Sequence, residues 1–133
     1  MNRCAVVAFC AAAILTCASC WGPKISVEEE KVLTTLSNIQ GSLESNIDYQ
    51  QFIDLLGRAK IEIDILKRSG KNNPCFIGAI DKCYAYYHTG GKAWKQKLET
   101  NDESRKNDMD LTLSVLQSQA ALSIQMANNC YKN

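Results

Sequence analysis

Two capping boxes constrain this chain more than any other feature, because each fixes where a helix begins and which way it runs. In Ser26-Val27-Glu28-Glu29 the serine hydroxyl is placed to accept the Glu29 amide while the glutamate reaches back to the amide of Ser26. Val32, Leu36, Ile39 and Leu43 then recur at helical spacing, which predicts a helix over about 27–45. Gly41 weakens it by about 1 kcal/mol relative to alanine without breaking the stripe. The second box pairs Asp48 with Gln51, and Ile47 and Phe52 flank it as a hydrophobic staple. Phe52, Leu55, Leu56, Ala59, Ile63 and Leu66 share one side of the helix it opens, over about 49–69. Lys67 and Arg68 in the last turn, with Gly70 beyond, supply the chemistry of a helix end.

Asn73-Pro74 opens a third helix, asparagine as cap and proline at the first position. Phe76, Ile80, Cys83, Tyr87, Gly90, Trp94 and Leu98 alternate by four and three, so the helix is expected over about 74–98. The stripe keeps phase through Gly90-Gly91, although two glycines cost about 2 kcal/mol there. A ligand or partner backbone approaching the pair, a tight helix crossing, and a break into two shorter helices all fit that sequence. A fourth helix, over about 104–130, carries Met109, Leu113, Leu116, Ala120, Ile124, Ala127 and Tyr131, with Val115, Ala121 and Leu122 beside them. So wide a face is expected of an element packed on two neighbours. Nothing alternates like a strand, and the linkers are short. The expected fold is all-α, an antiparallel up-down-up-down four-helix bundle in a single domain over residues 21–133.

Residues 1–20 read as an export leader: Arg3, an apolar run from Ala5 to Leu15, then small residues from Thr16 to Ser19. Ala18 and Cys20 fit the small-residue rule for cleavage that frees a soluble protein. Ala18-Ser19-Cys20 also resembles the end of a bacterial lipobox, which would leave a lipidated Cys20 as membrane anchor, although Cys17 stands where that motif usually carries leucine. The expected location is the periplasm, the cell envelope or the medium. Arg3 is the only charged residue of the leader, so the remaining 113 residues balance 14 basic against 14 acidic groups, well interleaved. Long-range attraction to nucleic acid or anionic lipid has no support in such a balance. The runs Glu28-Glu29-Glu30 and Asp102-Glu103 read as solvated helix starts.

In an oxidising compartment Cys75, Cys83 and Cys130 are expected to pair where geometry allows. Cys75 and Cys83 lie about 12 Å apart along one helix, too far to bridge. If helices three and four fold back about residues 99–105, the numbers of facing residues total about 204. Cys75 with Cys130 totals 205 and Cys83 with Cys130 totals 213, so the expected bridge is Cys75–Cys130. Cys83 is then a core thiol, or alternatively a redox group or nucleophile.

The sequence offers little chemistry. His88 is the only histidine; the one Cys-x-x-Cys is Cys17-Ala18-Ser19-Cys20 within the leader, and over residues 21–133 Cys-x-x-Cys, Cys-x-x-Cys-His, His-x-x-x-His and Glu-x-x-His spacings are all missing. No catalytic residue, metal ligand or cofactor is therefore expected. The least ordinary surface is Tyr84-Ala85-Tyr86-Tyr87-His88 with Gly90, Gly91 and Trp94, in which Tyr86 and His88 are expected towards solvent. Tyrosine and tryptophan beside glycine suit a partner contact, or they simply fill core.

The segments Asn46-Ile47-Asp48-Tyr49-Gln50-Gln51-Phe52 and Asn73-Pro74 through Trp94 resemble those of small exported helical proteins encoded by uncharacterised cyanobacterial reading frames. The likeness covers about half the chain, rests on capping and packing signals, and implies export and a bundle but no functional residue. The expected function is that of a non-enzymatic envelope or secreted protein that binds another protein through a helix face. A binder of a small apolar ligand near Gly90-Gly91 is the alternative. An enzyme using His88 or Cys83 is the third possibility.

Overall fold

The structure is a computed structural model that describes residues 24–70 and 72–132. The leader and Cys20 lie outside the described residues. Four helices follow one another as α1 (Val27–Glu44), α2 (Tyr49–Ser69), α3 (Pro74–Glu99) and α4 (Glu103–Asn129), with no strand among the described residues. They form the expected four-helix bundle.

Each start follows from its cap. Ser26 Oγ accepts the Glu29 amide at 3.2 Å while Glu29 Oε2 accepts the Ser26 amide at 2.9 Å. Asp48 Oδ1 accepts the Gln51 amide at 2.8 Å and Gln51 Oε1 accepts the Asp48 amide at 3.2 Å. Asn73 Oδ1 accepts the Cys75 amide ahead of Pro74, and Asp102 Oδ1 accepts from Ser104 and Arg105. Gly70 ends α2 at φ +69°, where a β-carbon would strain the backbone.

The helices alternate in direction. Lys67 of α2 pairs with Asp81 of α3 at 2.6 Å, and Phe52 of α2 meets Trp94 of α3 at 5.6 Å between ring centres. Lys97 of α3 pairs with Asp110 of α4 near one end, and Cys75 is bonded to Cys130 at the other. α3 and α4 form the most intimate pair, α1 touches α2, α4 and α3, and α2 does not meet α4. Leu36, Ile39, Phe76, Ile80 and Cys83 are fully enclosed, and each large aliphatic or aromatic side chain so buried stabilises the fold by about 2 kcal/mol before entropy is set against it.

Three local expectations need correction. Glu28 and Glu30 are solvated, but Glu29 is 2% exposed, because its second oxygen Oε1 accepts the Asn73 amide at 3.1 Å across the bundle. Leu98 continues the α3 stripe yet is exposed, one residue from the end of α3 and level with the first residue of α2. Val115 and Leu122, expected on the core face of α4, stay in solvent together with Leu111: α4 packs closely on α3 and more loosely on α1, and neither covers this side.

Candidate functional site

α3 runs unbroken through Gly90-Gly91, and a tight helix crossing accounts for Gly91 but is not needed for Gly90. They point to different neighbours because successive helical residues are about 100° apart. A β-carbon on Gly90 would meet Leu113 of α4 at 3.7 Å, an ordinary contact. One on Gly91 would meet Phe52 of α2 at 3.1 Å, closer than packed carbons normally come. Both glycines are buried, so neither offers its backbone to an outside partner.

The aromatic residues around them divide between core and surface. Tyr87 is buried edge-on to Phe52, and Trp94 packs half-buried over Phe52 and Tyr49. Tyr86, expected in solvent, is half-buried over the core, where it borders a space of about 10 Å³ with Gly90, Trp94, Leu113 and Leu116. That volume admits at most about one water, so an apolar ligand has no cavity there. His88 is exposed and stacks on Tyr84 at 6.0 Å. Thus the structure gathers Tyr86, Gly90 and Trp94 around one packed point and leaves His88 apart from them.

Cys83 sits in the middle of the core, where burial pushes its thiol up to about 12. It is therefore protonated and unreactive at neutral pH. Burial also raises the Tyr87 phenol, with Cys83 and Glu44 adding to the effect; its hydroxyl has no hydrogen-bond partner. No three metal-ligating side chains converge among the described residues. The open furrow between α1 and α4 holds two shallow clefts of about 230 and 330 Å³. Gln40, Glu44 and Tyr87 border the first; Ile47, Trp94 and Asp110 border the second; Leu43 and Gln117 are shared. Their walls mix amides, hydroxyls and single aromatic edges, and the one acid–base pair, Lys97 with Asp110 at the second cleft, is an exposed ion pair bonded to itself.

The most unusual surface lies elsewhere, on the outer side of α4. Leu111 is 69% exposed, Val115 53%, Leu122 50% and Met126 51%. Their spacing of four, seven and four puts them in one row, about half a turn from the core row of Leu113, Leu116, Ala120, Ile124 and Ala127. The row is about 22 Å long. No Asp, Glu, Lys or Arg occurs from Leu111 to Tyr131, so its flanks are serine, threonine, glutamine and asparagine. Sequence reading took Val115 and Leu122 as a widening of the core face. The signal that separates them is the second phase of apolar residues together with a charge-free run on a helix that must be half in water.

No known family model, curated protein sequence or solved structure matches the chain.

Proposed function

We propose that this protein is an exported, non-enzymatic helical component of the cell envelope or secreted fraction that works by binding another protein through the outer face of α4. Export rests on the leader, with or without a lipid on Cys20. The observation that carries the binding reading is the row Leu111, Val115, Leu122 and Met126. Single apolar side chains on a surface need no explanation, but four in line on a charge-free helix face match the core of a protein interface, from which charged residues are depleted. The buried, protonated Cys83 and the isolated His88 give catalysis no comparable support.

Cross-linking capture of the tagged full-length chain in its own cells tests this, with a Val115→Lys/Leu122→Lys double variant beside it. Both side chains already face water, so the variant is expected to fold with an unchanged helical signal. The expected result is a discrete cross-linked species with the native chain and its loss with the variant. Identical capture by the two chains would count against the reading, as would no specific species at all.

A further inference from the structure

The α4 row reads almost the same in both directions. Leu111 and Met126 lie as far from its centre as each other, and so do Val115 and Leu122; the midpoint falls between Ser118 and Gln119. A second copy of α4, turned end for end about that point, sets Leu111 level with Met126 and Val115 level with Leu122, each contact occurring twice, and brings Ser118 beside its own copy on one side of the axis and Gln119 beside its own copy on the other. This is the self-complementarity a two-fold interface requires. We infer that the outer face of α4 pairs antiparallel with the same face of a second copy of this chain. The inference rests on the interaction reading above and names its partner.

Charge and chemistry at the face agree. With no ionised side chain between Leu111 and Tyr131, two copies meet there without like-charge repulsion, and the antiparallel arrangement sets opposite helix dipoles side by side. At the axis Ser118 is small, and its hydroxyl already donates to the Ser114 carbonyl at 2.9 Å, so covering it strands no donor. Gln119 is exposed and brings an amide that can pair with its own copy across the axis. A membrane-lying helix would instead carry Lys or Arg along its polar flanks, and this stretch has none. Four side chains per copy form a small patch beside the roughly 800 Å² per partner of a standard interface, so the dimer is weak, with a dissociation constant above about 1 µM.

Sedimentation velocity of the exported chain over a concentration series, combined with oxidative cross-linking, tests the pairing. Ser118→Cys stands next to the axis and is expected to form a disulfide dimer. Leu111→Cys places its two thiols about 22 Å apart in the antiparallel pair and is expected not to. The native chain should pass from monomer to dimer with concentration, and Val115→Lys/Leu122→Lys should raise the dissociation constant at least about tenfold. Four results overturn the inference: a monomer at every concentration, a bridged Leu111→Cys dimer, a double variant that dimerises like the native chain, or a monomer that binds vesicles through this face. A monomer whose cross-linked species in cells still depends on Val115 and Leu122 would sink the self-pairing alone. A monomer whose capture ignores those residues would sink the interaction reading as well.

Discussion

Glu29 uses both carboxylate oxygens within the bundle: one accepts the Ser26 amide and the other the Asn73 amide, which ties the start of α1 to the start of α3. The Tyr131 hydroxyl lies beside it without a bond of ordinary geometry. Burial would raise this carboxyl, but the amide hydrogen bonds from Ser26 and Asn73, with the Tyr131 hydroxyl dipole close by, outweigh burial and hold it below the ordinary 4.5. A depressed carboxyl contributes stability that is fully present above its unfolded value and is lost as pH falls through the folded one. Glu29→Gln keeps one acceptor oxygen for two amides, so a loss of about 2 kcal/mol is expected at pH 7, measured by urea unfolding. The gap between the two chains should narrow as pH falls below the ordinary glutamate range and through the depressed folded one; a gap that stays the same size down to the acid transition would contradict this role. The capping half of the arrangement was legible because its partners are three residues apart. The Asn73 half was not, since it joins residues 44 apart that only the assembled bundle brings together.

At the scale of the element, periodicity told which side chains share a face but not which face receives a neighbour. α3 shows the favourable case: its stripe runs unbroken through two glycines, of which Gly91 proves to be a close crossing under α2 while Gly90 leaves room for an ordinary contact with α4. α4 shows the unfavourable one, for its second apolar row was merged with the first until the bundle left it uncovered. The remaining helical glycines supply a test of how far packing governs these elements. A β-carbon at Gly41, Gly57 or Gly78 meets nothing within 4 Å. Substituting all three by alanine should raise stability by about 2–3 kcal/mol, since each removes a helix-propensity penalty of about 0.8–1 kcal/mol. Gly91→Ala should give no such gain, because Phe52 is held between Tyr87 and Trp94 and cannot retreat. Thermal unfolding of the two variants decides the matter, and an equal gain from Gly91→Ala would refute the close crossing.

The whole molecule is tied tightly at one end and loosely at the other. Cys75–Cys130, Phe76 packed on Tyr131 and the Glu29 bonds to Ser26 and Asn73 cluster at the first end, whereas α1 and α4 diverge around open clefts at the second. The bridge was legible because helical rise and a short turn fix the register of a hairpin, leaving Cys83 two turns out of reach. It closes a loop of 55 residues, and its removal by Cys75→Ser/Cys130→Ser should cost about 4 kcal/mol in the chain-entropy model, read from urea unfolding under non-reducing conditions. An unchanged midpoint would mean that the denatured chain is already compact without it. What the sequence withheld is the use of the molecule: most of its helical stripes are spent on the core, and among the described residues the outer row of α4 is the longest line of large apolar side chains left in solvent. The methyl spectrum of the chain under dilution addresses that row most directly. The methyl resonances of Leu111, Val115, Leu122 and Met126 should move with concentration while those of Val27, Ile61 and Leu98, equally open to solvent, stay fixed. Four stationary resonances, or movement shared with Val27, Ile61 and Leu98, would contradict α4 as the contact surface.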